Sequence, residues 1–121
     1  MDAIEIEPNS GLYHFDRIFN PESTQELVYD EVKPFVQIAL DGDNVCIFAY
    51  GQTGSGKTYT MEGPPKVRIS STRNDLCGII PRCGVFIFEE VERQMLSGIQ
   101  MELQVACFEI YCDKVRDLLN S

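Results

Sequence analysis

The glycine-rich octapeptide at residues 51–58, Gly-Gln-Thr-Gly-Ser-Gly-Lys-Thr, is the segment of this sequence best suited to chemistry. It matches the phosphate-loop pattern G-x-x-x-x-G-K-[ST] without a mismatch. Glycines let the backbone turn tightly and approach phosphate oxygens without a clash from a Cβ atom. Successive backbone N–H groups then form a cradle for an anion, and the positive N-terminal end of a following helix strengthens it.

Two side chains at the end of the octapeptide carry the predicted chemistry. The Lys57 ammonium group can reach the β- and γ-phosphates of a nucleoside triphosphate, and the Thr58 hydroxyl can bind Mg²⁺. We therefore predict both as catalytic residues, with Thr58 as the metal ligand. The predicted phosphate-binding set is the whole octapeptide: Gly51, Gln52, Thr53, Gly54, Ser55, Gly56, Lys57 and Thr58. The alternative interpretation is a chance match in an ordinary turn.

The elements around the octapeptide decide between these interpretations. Residues 45–50 are six apolar residues in a row, which predicts a strand buried on both faces. A helix is predicted to start at Lys57 and to be interrupted by Glu-Gly-Pro-Pro at residues 62–65. This strand–loop–helix order is the context that a phosphate loop requires. The sequence therefore predicts an α/β unit, with a right-handed crossover if the next strand is parallel.

Two short strands and a helix are predicted before the octapeptide. Apolar residues alternate around Ile4 and around Tyr13, on either side of a turn at residues 9–11. Ser23 has capping-box spacing to a glutamate and is predicted as the N-cap of a helix. Pro34 lies inside that helical pattern and predicts a kink or two abutting helices. The helix is predicted to end with a cap at Gly42.

A helix, a strand and a further helix are predicted after the octapeptide. Pro81 is predicted to lie in the first turn of a helix that Gly98 ends. Gly84 lies inside this helical pattern, where glycine is unfavourable by about 1 kcal/mol relative to alanine. Alternating apolar residues predict a strand over residues 101–111, and a further helix is predicted over residues 113–119.

The charge of the chain argues against two broad classes of partner. The net charge is −9, from 10 basic and 19 acidic residues. This argues against general binding to nucleic acids and to anionic membrane surfaces. Residues 1–31 are strongly acidic, whereas residues 64–84 hold Lys66, Arg68, Arg73 and Arg82 against a single aspartate. Solvated surface is the favoured interpretation of both segments, and a binding role for the basic one is the alternative.

Cysteine and acidic residues give little sign of a metal site beyond Thr58. The sequence has five cysteines and no C-x-x-C pair, which argues against zinc. Cys46 and Cys107 lie in apolar runs and are predicted to be buried free thiols, as suits a reducing cytosol. Glu109 is predicted to form a structural ion pair rather than to bind a metal, and His14 to lie on a strand face.

Residues 44–63 resemble the phosphate-loop segment of the kinesin motor domain over a stretch far longer than the octapeptide. Shorter stretches agree with this resemblance: residues 13–19, 23–42, 78–82, 108–111 and 117–120. The residues around the loop are most similar to those of kinesins whose motor lies at the C-terminus and moves towards the minus end. The similarity covers nearly the whole chain.

The resemblance implies a P-loop NTPase fold, in which residues 1–121 are part of a kinesin-like motor domain with a mixed central sheet flanked by helices. It implies ATP and Mg²⁺ as cofactors and places Tyr59 beside the adenine. Residues 62–79 correspond to an insertion loop that splits a helix near the nucleotide. The parent protein would hydrolyse ATP and move on microtubules, with tubulin as partner, a dimer through a coiled coil and a place in the cytoplasm on the cytoskeleton.

Several segments of the kinesin pattern are not found in this sequence. They are the first strand with its Arg-x-Arg-Pro contact to adenine, both switch segments, the microtubule-binding elements, the neck and the stalk. A chain of net charge −9 would also be repelled by the acidic surface of tubulin, so a basic track-binding face must come from other parts. We therefore expect this chain alone to bind nucleotide weakly and without turnover.

Two other functions remain open from the residues. A truncated, non-enzymatic module could keep the loop and act by binding nucleotide or a partner. An unrelated small P-loop kinase is disfavoured, because such enzymes usually clamp phosphates with an arginine-rich lid, whereas only three arginines lie between Arg68 and Arg82.

Overall fold

The computed structural model describes residues 2–5, 11–65 and 75–120. Its elements in chain order are β1 Asp2–Glu5, β2 Leu12–Phe15, α1 Gln25–Leu40, α2 Lys57–Met61, α3 Ile79–Leu96, β3 Phe108–Tyr111 and β4 Lys114–Asp117. The chain divides into two compact units, Met1–Phe88 and Glu89–Ser121, with the boundary inside α3. Among the described residues, none of the helices has the length and apolarity that crossing a membrane requires.

An antiparallel hairpin of β1 and β2 begins the first unit. Asp2 is opposite Phe15 in its register. The Asp2 carboxylate also accepts a hydrogen bond of 2.8 Å from the Ile18 amide, which ties the start of β1 to the chain beyond β2. The two predicted short strands are confirmed, and His14 lies on β2 with an exposed side chain. Of the predicted turn, residues 9 and 10 lie outside the described residues.

Local hydrogen bonds set the start of α1 one residue later than the sequence predicts. Thr24 is the N-cap, and its Oγ1 accepts a hydrogen bond of 3.2 Å from the Leu27 amide. The prediction of Ser23 as the N-cap was wrong, because the Ser23 hydroxyl bonds to Oδ1 of Asn20 at 3.0 Å. Both hydroxyl residues suit a cap, and the Asn20 side chain engages the first of them.

The end of α1 is the glycine-capped stop that the sequence predicts. Gly42 has φ 111°, and its amide donates to the carbonyl of Ala39 at 3.1 Å. The Asp43 amide donates to the Ile38 carbonyl at 3.2 Å, which completes a Schellman motif. Pro34 lies inside α1, which continues past it as one helix of 16 residues rather than as two abutting helices.

The core of the first unit is thin. Its buried apolar side chains include Tyr29, Val36 and Ile79, at 8%, 5% and 5% exposure. Tyr29 and Val36 are two turns apart on one face of α1, which is therefore the buried face of the helix. Among the described residues no large side chain is fully buried.

Residues 45–50 do not form the predicted strand. They are irregular, and the Phe48 and Tyr50 side chains are 80% and 90% exposed, with their rings stacked at 6.4 Å between centroids. A strand exists only where a neighbour satisfies its backbone groups, and no described strand pairs with this segment. The described strands form two antiparallel pairs, so the predicted mixed central sheet is not formed among them.

In the second unit, β3 and β4 form a hairpin where the sequence predicts a helix. Cys112 and Asp113 both have positive φ, 50° and 58°, as the two central residues of a type I′ turn require. That turn reverses the chain, so the predicted helix over residues 113–119 was wrong. The predicted strand over residues 101–111 was correct only for its last four residues, Phe108–Tyr111.

The structure also tests the predicted ion pair of Glu109 and the predicted burial of Cys46 and Cys107. The Glu109 carboxylate lies 3.9 Å from the Arg116 guanidinium across the β3–β4 hairpin, so the predicted structural ion pair is confirmed. Cys46 and Cys107 are free thiols, but both are exposed, and the prediction that they are buried was wrong. Their apolar neighbours belong to segments that lie outside the core.

Candidate functional site

The octapeptide forms a tight loop that leads directly into α2. Gly51, Gly54 and Gly56 have φ of 156°, 81° and 94°, values that side-chain-bearing residues rarely adopt. The Ser55 amide donates to the Gln52 carbonyl at 3.2 Å and closes a turn within the loop. The predicted start of a helix at Lys57 is confirmed.

Gly51 is the tightest position of the loop. A Cβ atom there would lie 2.4 Å from Oγ and 3.1 Å from Cβ of Ser55, whereas a Cβ at Gly54 or Gly56 would meet nothing within 4 Å. The loop therefore curls so that its first residue touches its fifth. Gly54 and Gly56 are required for their left-handed backbone instead.

The N-terminal end of α2 has no side-chain cap. Its N-cap is Gly56, which carries no oxygen that could accept from the first-turn amides. Those backbone donors carry the partial positive charge of a helix N-terminus. Together with the glycine-lined curl of the loop, this arrangement suits the anionic oxygens of a polyphosphate.

Lys57 lies across the loop that precedes it. Its Nζ donates to the carbonyl of Gly51 at 2.9 Å and to the carbonyl of Gln52 at 2.8 Å. An ammonium group has three N–H donors, so it can bind a phosphate oxygen while keeping both of these bonds. The structure therefore holds the positive charge of Lys57 against the first two residues of the loop.

Thr58 and Tyr59 are exposed on α2, as ligand contacts require. The Tyr59 side chain is 49% exposed, and its backbone carbonyl accepts a hydrogen bond of 2.7 Å from Nε2 of Gln25. The loop residues and the start of α2 therefore fit the phosphates and Mg²⁺ of a nucleotide. No group of three or more His, Cys, Asp or Glu residues that could hold a metal lies among the described residues.

Gln25 is a residue that sequence reasoning missed. It is only 6% exposed at the start of α1, although glutamine is normally a surface residue. The available signal was its spacing, because Gln25 lies four residues before Tyr29 and seven before Val32, on the apolar stripe of the helix.

The two ends of the insertion loop meet closely. The Gly78 amide donates to the Glu62 carbonyl at 3.2 Å. A Cβ at Gly63 would lie 2.6 Å from the Leu76 carbonyl oxygen, and one at Gly78 would lie 2.6 Å from the Glu62 nitrogen. The predicted interruption of the helix after Met61 is confirmed, while residues 66–74 of the loop lie outside the described residues.

Arg82 holds the C-terminal end of this loop, residues 75–77, through hydrogen bonds to its backbone. Its Nε donates to the Cys77 carbonyl at 2.9 Å and its Nη2 to the Asp75 carbonyl at 3.0 Å. The guanidinium also lies 6.0 Å from the centre of the Tyr29 ring. Solvated surface is the favoured prediction for this basic segment, but Arg82 is half-buried and structural. Its predicted neighbours Lys66, Arg68 and Arg73 lie outside the described residues.

Comparison with known proteins gives one consistent family. Residues 3–121 match the Kinesin motor domain. The chain is similar to Kinesin-like protein KIN-14M of Arabidopsis thaliana, at 48% identity over 93% of this chain and 14% of the relative. Carboxy-terminal kinesin 2 of Xenopus laevis is 49% identical over 98% of this chain and 17% of the relative. Protein claret segregational of Drosophila melanogaster is 41% identical over 91% of this chain and 14% of the relative.

These matches confirm the resemblance inferred from residues 44–63, including its likeness to the C-terminal kinesins. This chain spans only 14% to 17% of the length of these curated relatives.

Proposed function

This chain belongs to the kinesin motor domain family, and on that premise we propose that it is the ATP-binding portion of a kinesin-like microtubule motor. Members of the family have a P-loop NTPase fold and bind ATP with Mg²⁺. The observation that carries the proposal is the loop at residues 51–58, with its glycine-dependent curl and the Lys57 ammonium held across it. Our proposal assigns the whole octapeptide to phosphate binding.

Within this proposal each residue has a distinct role. The backbone amides of the loop and of the first turn of α2 bind phosphate oxygens. Lys57 places a positive charge against the β- and γ-phosphates, and Thr58 offers its hydroxyl to Mg²⁺. The metal, when bound, neutralises charge that develops on the transferring phosphoryl group. We assign the exposed Tyr59 ring to stacking on the adenine.

Movement along microtubules is proposed for the longer protein, not for these residues alone. The relatives are several times longer than this chain. The groups that orient the attacking water and sense the γ-phosphate, the basic surface for acidic tubulin and a dimerising coiled coil would lie in other parts of that protein. There the mixed central sheet would pair residues 45–50, and the motor would lie in the cytoplasm on the cytoskeleton.

A second candidate function is a partner-binding module without turnover. The observation that favours it is apolar exposure: Phe48, Tyr50, Val105 and Tyr111 are each more than 70% exposed. Within the first unit the Phe48 and Tyr50 rings stack on each other, and large exposed apolar patches mark sites of protein association. Partners could then be bound while nucleotide only stabilises the loop.

Two measurements test the proposal. Peptides captured with an antibody to residues 64–78 should belong to a polypeptide much heavier than 13.7 kDa, with sequence beyond residue 121. The purified 121-residue chain should show no microtubule-stimulated ATP hydrolysis. A native product near 13.7 kDa would favour the partner-binding module, and stimulated turnover by the pure chain would contradict our division of roles.

A further inference from the structure

Two polar side chains lie on the buried face of α1, one turn apart. Gln25 and Tyr29 are 6% and 8% exposed. Residues at i and i+4 share a face of a helix, and both side chains bond to backbone carbonyls far away in sequence. The Gln25 amide donates to the Tyr59 carbonyl at 2.7 Å, and the Tyr29 hydroxyl donates to the Arg82 carbonyl at 3.3 Å. The face of α1 thus holds the chain on either side of the insertion loop.

The helix α2, to which Gln25 bonds, is too short to be stable without contacts to other parts of the chain. The helix α2 has five residues, far fewer than a helix needs to be stable alone in water. Its backbone bonds include Thr60 to Gly56 at 2.8 Å and Glu62 to Thr58 at 2.8 Å. The two side chains with the proposed phosphate and Mg²⁺ roles, Lys57 and Thr58, stand in its first turn. Their position therefore depends on contacts made from outside α2.

The Gln25 contact is well suited to that task. The Gln25 side chain is only 6% exposed, and a hydrogen bond is stronger in surroundings that are shielded from water. That carbonyl also accepts the Gly63 amide at 2.9 Å, so one oxygen joins α1, α2 and the first residues of the insertion loop. Loss of the Gln25 donor would free the end of α2 that carries this oxygen.

We propose that Gln25 is a positioning residue for the phosphate site, whose buried amide fixes α2 through the Tyr59 carbonyl and so holds Lys57 and Thr58 at the loop. The inference rests on the proposed nucleotide binding. It assigns Gln25 no contact with nucleotide. Its effect passes through the backbone of α2.

Backbone amide exchange of the ligand-free 121-residue chain tests the anchoring step. Gln25→Met keeps the length of the side chain and removes its donor. We expect the Thr60, Glu62 and Gly63 amides to exchange about five- to tenfold faster, the factor that one buried hydrogen bond supports. The amides at the far end of α1 should not change. Tyr29→Phe is the matched control, since it removes the neighbouring hydroxyl donor and should leave α2 amides unaffected.

A binding titration with Mg·ADP tests the positioning step. Gln25→Met should weaken binding by about five- to tenfold, and Tyr29→Phe should not. Unchanged exchange in α2, or faster exchange with unchanged affinity, would overturn the inference and leave the proposed function intact. If the unmodified chain binds no Mg·ADP, the proposed function fails first and the positioning role falls with it.

Discussion

An added methyl group at Gly78 should be among the most damaging small changes in this chain. The new Cβ would lie 2.6 Å from the Glu62 nitrogen, 2.6 Å from the Met61 carbonyl carbon and 2.7 Å from the Glu62 carbonyl carbon. Favourable contacts between such atoms begin at about 3.5 Å, so roughly 1 Å of overlap must be relieved. All three are backbone atoms, which cannot rotate away as a side chain would.

The size of the effect follows from these contacts. Overpacking of this kind costs about 1–3 kcal/mol. Separation of the two segments also breaks the bond from the Gly78 amide to the Glu62 carbonyl, worth about 1 kcal/mol. Gly78→Ala should therefore lower the free energy of unfolding by about 2–4 kcal/mol.

Gly84 provides the matched control, because the same substitution there should have the opposite sign. It lies inside α3, and a Cβ would meet nothing within 4 Å. Alanine is favoured over glycine inside a helix by about 1 kcal/mol, so Gly84→Ala should raise stability by up to that amount. Urea unfolding followed by far-ultraviolet circular dichroism measures both variants against the unmodified chain. A Gly78→Ala variant as stable as the parent would refute the close approach at the base of the insertion loop.

Three further predictions follow from local contacts. Thr24→Ala should cost about 1 kcal/mol in urea unfolding through loss of the α1 N-cap, whereas Ser23→Ala should be close to neutral. Burial raises the pKa of the Cys83 thiol, so less of it is thiolate at any given pH. Iodoacetamide should therefore alkylate Cys83 more slowly than the exposed Cys46, as peptide mass spectrometry would show, and equal rates would contradict its burial. Hydrogen bonds from the Asn120 side chain and the Leu119 amide lower the pKa of Asp117. The stability that this carboxylate contributes is therefore present above the ordinary aspartate pKa and is lost as pH falls through the lowered pKa. NMR titration should show the Asp117 carboxyl titrating below an ordinary aspartate, and Asp117→Asn should remove this pH dependence of stability.

Features coded by neighbouring residues could be predicted from the sequence. The glycine-rich loop, the start of α2 at Lys57 and the glycine-capped ends of α1 and α3 depend on backbone freedom within a few residues. Gly98, for example, has φ 84° and its amide bonds to the Met95 carbonyl at 3.0 Å, as expected for a helix stop. In such cases the residue type itself fixes the local geometry.

Features that depend on distant partners could not be predicted in this way. The apolar residues 45–50 have the composition of a buried strand, but a strand needs a neighbour, and none of the described strands pairs with them. Cys112 and Asp113 adopt the left-handed backbone of a type I′ turn, in which glycine or asparagine is usual. Because neither residue type is present at these positions, the sequence predicts a helix there instead of the turn. The hydrogen bond from Gln25 to the Tyr59 carbonyl spans 34 positions, and no local sequence pattern predicts it.

Residues 51–58 are proposed to bind the phosphates of a Mg²⁺-bound nucleotide through Lys57. Fluorescence polarisation of a labelled ATP analogue, titrated with the 121-residue chain, tests it most directly. We expect weak, Mg²⁺-dependent binding that Lys57→Ala lowers by about tenfold or more, since hydrogen bonds to a charged group contribute about 1.5–3 kcal/mol. Lys33→Ala, which removes an exposed lysine on α1, should bind as the unmodified chain does. Equal binding by the Lys57 and Lys33 variants would show that Lys57 does not bind the phosphates.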